Sequence, residues 1–181
     1  MKQTLEATLA FKSHDALGEG SIWNDITKEL YWVDIEKGIL HILHPESNKH
    51  ESFSLGQRVG TVVPSENGKV LVALQDGLYE FDPQTQQKKL LHPADHDPTT
   101  MRFNDGKCDP AGRLWVGTMH LAILPAVASL YKLTKGTLEK MLGNITISNG
   151  ICWSADNRTM YYIDTPTRTV QAFDFDMEQG L

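Results

Sequence analysis

Asp109-Pro110-Ala111-Gly112 runs directly into Arg113-Leu114-Trp115-Val116-Gly117. Turn-forming residues are followed by an apolar run too short for a helix, which is how a buried strand reads. The pattern recurs. Leu30-Tyr31-Trp32-Val33-Asp34 follows Asn24-Asp25 and Lys28-Glu29, and Lys69-Val70-Leu71-Val72-Ala73 follows Glu66-Asn67-Gly68. Met160-Tyr161-Tyr162-Ile163-Asp164 follows Asp156-Asn157-Arg158. With Leu30, Val70, Leu114 and Met160 as markers, the separations are 40, 44 and 46 residues.

Working outward, each marker is followed by a second strand-like run, at 39–43, 78–82, 130–133 and 170–174. Turns such as His44-Pro45-Glu46-Ser47 and Asp82-Pro83-Gln84-Thr85 then lead to an outer strand. Proline suits these corners because it presets φ and lacks a donor. A strand also precedes each marker, opening on Gly20-Ser21, Gly60-Thr61, Asp105-Gly106 or Asn149-Gly150. Glycine there permits a close backbone approach. About four strands per unit of ~40–46 residues is the blade period of a β-propeller. The fold class is therefore all-β, a propeller, with a β-sandwich as the alternative architecture.

The chain of 181 residues reads as one partial propeller domain, with blades at 17–55, 56–92, 102–143 and 147–181. The fourth blade is incomplete, since Met177-Glu178-Gln179-Gly180-Leu181 reads as a turn toward an outer strand. The expectation is a truncated chain whose open faces and strand edges offer a route to self-association.

Hydrophobic residues make up 40% and charged residues 22%, values of a globular chain. The net charge of −6, with no basic run, disfavours nucleic acid as a partner. No stretch approaches the ~20 apolar residues of a bilayer span, and the first residues lack a signal-peptide core. A soluble, cytoplasmic protein with no membrane partner is expected. Cys108 and Cys152 cannot make a disulfide framework and read as small buried apolar residues. His92 and His96 sit in a Pro/Asp-rich loop and read as solvent-facing.

Propeller sites lie at the axis, where the loops leading into the innermost strands converge. Three sets of polar residues stand there. Glu19, between Gly18 and Gly20, offers a hard carboxylate ligand. Arg102 and Asn104, two apart on an extended segment, share a face and combine a planar donor fork with an amide. Asn149 stands in its unit where Asn104 stands in the preceding one, and its amide oxygen suits a divalent cation. Each set alone reads equally as a solvated loop or turn; their radial convergence is what points to a site. GxSxG, HExxH, Walker and GxGxxG patterns do not occur in the sequence.

Gly18-Glu19-Gly20, Arg102-Phe103-Asn104-Asp105-Gly106-Lys107 with Asp109-Pro110-Ala111-Gly112-Arg113, Gly117-Thr118-Met119 and Ser148-Asn149-Gly150-Ile151 resemble the senescence-marker-protein/gluconolactonase/regucalcin family. The resemblance runs from about Leu17 onward and implies a six-bladed propeller with one divalent metal ion, Ca²⁺ or Zn²⁺, with Mn²⁺ or Mg²⁺ as further candidates. By the family pattern Glu19 and Asn149 are metal ligands. Asn104, beside the metal, is the catalytic residue and touches the substrate, and Arg102 holds substrate oxygens. The implied function is metal-dependent hydrolysis of a sugar lactone, with a non-catalytic calcium-binding or regulatory propeller as the alternative. A further axial Asp is expected beyond Leu181, so this chain alone is expected to be inactive. Where the family carries an acid after Gly-Thr-Met, this sequence has His120-Leu121-Ala122-Ile123-Leu124. Glu19 is thus the only anionic ligand expected in this chain.

Overall fold

The computed structural model describes residues 5–180. Fifteen strands among them form four antiparallel meanders. The first sheet is β1 (Gly18–Asn24), β2 (Glu29–Asp34), β3 (Ile39–His44) and β4 (Lys49–Ser54). The second is β5 (Val59–Pro64), β6 (Val70–Leu74), β7 (Gly77–Asp82) and β8 (Gln87–Pro93). The third is β9 (Met101–Cys108), β10 (Leu114–His120), β11 (Ala128–Thr134) and β12 (Thr137–Ile145). The fourth has three strands, β13 (Ser148–Trp153), β14 (Thr159–Asp164) and β15 (Gln171–Asp174). The all-β propeller expectation is borne out as a partial ring of four blades.

The core lies between blades, which is why the marker strands are apolar without alternation. Val33 and Leu40 of the first sheet pack on Val59 and Val72 of the second. Val63 and Leu78 pack on Phe103 and Val116 of the third. Trp115 and Leu130 pack on Ile151, Met160 and Tyr162 of the fourth. Within β10 the two faces serve different interfaces: Val116 turns to the second sheet and Trp115 to the fourth. Alternate residues pointing to opposite faces dictate this division. The outer strand β8 is almost wholly exposed, whereas β10 is buried from Leu114 to Met119.

The innermost strands β1, β5, β9 and β13 sit side by side around the axis. Among the glycines of these four strands Gly60 makes the tightest approach. A Cβ there would lie 2.5 Å from the carbonyl oxygens of both Phe103 and Asn104. Each innermost strand also carries a bulge at equivalent depth. Glu19 pairs with Val33 but Ile22 with Tyr31, and Val59 pairs with Leu74 but Thr61 with Ala73. Phe103 pairs with Thr118 but Gly106 with Val116, and Asn149 pairs with Ile163 but Ile151 with Tyr162. One extra residue per strand bends the backbone and re-aims a side chain, the usual role of a bulge beside a site.

Two residues expected in other environments are placed differently. Cys152 is exposed, because it lies on the face of β13 turned away from the third sheet. His96 is half-buried: its Nε2 lies 3.1 Å from the Gln75 carbonyl and its ring meets the Phe103 edge, so the loop folds back on the second and third sheets.

Candidate axial cation site

Glu19 and Asn149 reach the axis by the same local device. Asp34, at the end of β2, accepts backbone hydrogen bonds from Ala16 and Leu17 at 2.8 and 3.2 Å. Asp164, at the end of β14, accepts them from Thr146 and Ile147 at 3.1 and 2.8 Å. Each carboxylate gives partners to backbone donors and fixes the segment leading into an innermost strand. Two or three residues on come Glu19-Gly20 and Asn149-Gly150. Gly20 and Gly150 have φ of 63° and 55°, a left-handed conformation that glycine adopts without a Cβ clash.

The result is one cavity of ≈ 290 Å³ whose lining includes Glu19, Ser21, Asp105, Lys107 and Asn149. Glu19 and Asn149 are thus brought together from strands 130 residues apart in sequence. Asp105 is the residue the sequence reading passed over. Its Oδ1 accepts from its neighbour Gly106 N and its Oδ2 from Gly150 N, both at 2.8 Å. Glu19 is therefore not the only anionic group at the axis. A signal was present: Glu19-Gly20, Asp105-Gly106 and Asn149-Gly150 each put an oxygen-bearing side chain before a glycine on an innermost strand.

Burial pushes the Glu19 carboxyl above its ordinary value, Asp105 raises it further, and Arg102 opposes both. Burial also pushes Asp105 up, against the hydrogen bonds from Gly106 and Gly150 and the charge of Lys107. Two carboxylates that resist ionisation facing a shared cavity are what an oxygen-ligated cation relieves. The donor set of two carboxylates and an amide oxygen suits a hard dication. No group of three or more His, Cys, Asp or Glu side chains in metal-holding geometry occurs among the described residues.

Arg102 and Asn104 come together beside this cavity without lining it. Both are buried. Arg102 Nη1 donates to Asn104 Oδ1 at 2.6 Å and to the Phe103 carbonyl at 3.0 Å, and Asn104 Nδ2 donates to the Ser148 carbonyl at 2.7 Å. Asn104 thereby ties β9 to β13. Burial lowers the Arg102 pKa, while Glu36 and Glu19 favour its charge and Arg58 opposes it.

Fold and site together define a β-propeller with an acidic, oxygen-lined axial pocket. Residues 17–181 match the SMP-30/gluconolactonase/LRE-like region, and the chain belongs to that family. It is 34% identical over 170 residues to regucalcin of Xenopus laevis, covering 91% of this chain and 57% of that protein. It is 30% identical over 177 residues to the 6-deoxy-6-sulfogluconolactonase of Pseudomonas putida, covering 97% and 60%. The crystal structure of the calcium-binding protein regucalcin from Agrobacterium tumefaciens superposes with a TM-score of 0.88 at 31% identity, over 92% of this chain and 57% of that one. The chain thus spans about three fifths of the length of these relatives.

Proposed function

We propose that this chain supplies part of an axial divalent-cation site, with Ca²⁺ as its first candidate and Mg²⁺, Mn²⁺ and Zn²⁺ as competitors. The observation that carries this reading is the single cavity shared by Glu19, Asp105 and Asn149. Similarity to a calcium-binding regucalcin supports it. Calorimetric titration of the chain with each cation tests it. Glu19→Gln is expected to weaken binding at least about tenfold, since cation affinity follows the charge of the ligand set. Unchanged affinity in that variant overturns the assignment.

A second reading, for the longer protein, is opening of a sugar lactone, favoured by the Arg102–Asn104 pair beside the cavity and by similarity to a sulfogluconolactonase. A bound dication supplies Lewis-acid polarisation of a carbonyl and acidification of water. Arg102 keeps Nε and Nη2 unengaged among the described residues, a donor fork for sugar oxygens. Asp105, its proton affinity raised by burial, is a proton acceptor this chain offers. Asn104 orients the Arg102 fork and, by the family pattern, meets the substrate. A pH-indicator assay with gluconolactone separates the readings. Cation uptake without turnover by the longer protein leaves the binding reading alone. Turnover lost in Arg102→Ala at unchanged cation affinity establishes the hydrolytic one.

A further inference from the structure

On the face of the first sheet turned away from the second, Trp32, His41 and Ser52 form one cross-strand row, and Leu43 and His50 the next. His41 Nδ1 and His50 Nε2 meet at 3.0 Å, with ring centroids 5.1 Å apart and planes 20° from parallel. Trp32 stacks on His41 at 4.8 Å, and Phe11 lies 4.4 Å from His50. Asp15 closes the group. One of its oxygens lies 3.2 Å from His41 Nε2, and the other accepts the Trp32 indole N–H at 2.9 Å. His41 is 7% exposed, and its Nε2 has no hydrogen bond of good geometry.

The head-on contact has room for one proton between the rings. A cation at the usual nitrogen distance of about 2.0–2.1 Å from each, held in line, would need the nitrogens about 4 Å apart. A neutral pair shares that proton, donor to acceptor. When both rings are charged, two N–H groups face each other at 3.0 Å in a buried setting. We infer that His41, His50 and Asp15 form a proton-operated clasp, holding residues 11–15 on the first sheet at neutral pH and releasing them under acid. Also facing it are Asp34, at the end of β2, Lys37, whose Nζ lies 3.5 Å from Asp34 and donates to the His14 carbonyl at 2.5 Å, and Glu19, which lines one cavity with Phe11, Asp15 and Trp32.

The sign follows from burial, which lowers the His41 pKa despite the opposing charge of Asp15. The closed clasp binds fewer protons than the open one. Closure is complete above the free histidine value of about 6.5 and is lost as pH falls below it. The clasp also reaches the axis. A Cβ on Gly18 would lie 2.8 Å from Asp15 Oδ2, so the Asp15 carboxylate abuts the residue before Glu19. The inference does not depend on the cation reading.

Hydrogen exchange of the chain at pH 7.5 and 5.0, corrected for intrinsic rates, tests it. The amides of Ala16 and Leu17, which donate to Asp34, are expected to lose protection at least about tenfold at the lower pH while β6 and β10 keep theirs. His50→Gln, which removes the facing ring, is expected to reduce that pH response, leaving the part that burial of His41 carries. Equal protection at both pH values, or the same acid release in His50→Gln, overturns the clasp. A ring titration of wild-type His41 by NMR is independent of any variant. A value below about 6.5 is expected, and one at or above it refutes the proposal.

Discussion

The backbone N–H of Gly150 donates to the Asp105 carboxylate over 2.8 Å, joining the innermost strands of the third and fourth sheets at the axis. The same carboxylate lines the cavity with Glu19 and raises its pKa. Asp105 is therefore both a tie between blades and half of the axial negative charge.

These two roles separate in Asp105→Asn. The amide oxygen can still accept from Gly150 while its NH2 faces the Gly106 N–H, so the fold should survive with a loss of about 1–3 kcal/mol. The charge does not survive. Affinity for Ca²⁺ or its competitors is expected to fall at least about tenfold, or about 1.4 kcal/mol, by calorimetry. Retained affinity would show that Asp105 serves only the tie.

Asp34 makes a pH-dependent contribution to stability. Burial alone would raise its pKa, but hydrogen bonds from Ala16, Leu17 and Lys37 outweigh burial and hold it below the ordinary value. A depressed carboxylate stabilises the fold above its unfolded value of about 3.9, and that stability is lost as pH falls through the folded value. Asp34→Asn should lower stability by about 2–4 kcal/mol at pH 7 and flatten the acid limb of the stability curve below pH ~4. Urea denaturation across pH 3–7 measures both, and an unchanged acid limb contradicts the assignment.

The period of the fold was legible because burial between blades forces apolar marker strands whatever their other duties. Leu-Tyr-Trp-Val-Asp34 and Met-Tyr-Tyr-Ile-Asp164 even displayed the two carboxylates that hold the segments before Glu19 and Asn149. Their role was not legible, since it depends on a register that places Gly18 opposite Asp34 and Ser148 opposite Asp164. Asp105 was hidden for a related reason. Asn-Asp-Gly is an ordinary turn composition, and only the bulge in β9 sends that carboxylate to the axis. The His41–His50 pair had no sequence signature, because the partners lie nine apart on different strands.

Gly60→Ala is expected to be among the most costly single-methyl additions in the chain. The new Cβ would meet backbone oxygens of Phe103 and Asn104 at 2.5 Å, and two strands must move apart to admit it. A loss above about 3 kcal/mol is expected, the upper range for overpacking. Gly56→Ala is the control: with φ of 81° and open space around it, it should cost about 1–2 kcal/mol of backbone strain alone. Comparable losses in the two variants would mean that the axial contact is looser than the structure shows.

Asn104 is the residue at which structural and functional roles must be disentangled. Its Oδ1 accepts from Arg102 and its Nδ2 donates to the Ser148 carbonyl, all within a buried site. Asn104→Leu removes the donor to the Ser148 carbonyl and leaves Arg102 Nη1 only the Phe103 carbonyl, at about 1–3 kcal/mol in all. The loss should appear in denaturant midpoints whether or not any ligand is present. Asn104→Asp keeps the acceptor for Arg102 but turns an oxygen toward the Ser148 carbonyl, and should recover only part of that loss. If Asn104→Leu is as stable as the parent, the amide is not a tie between β9 and β13, and a role confined to ligand contact is the reading that stands.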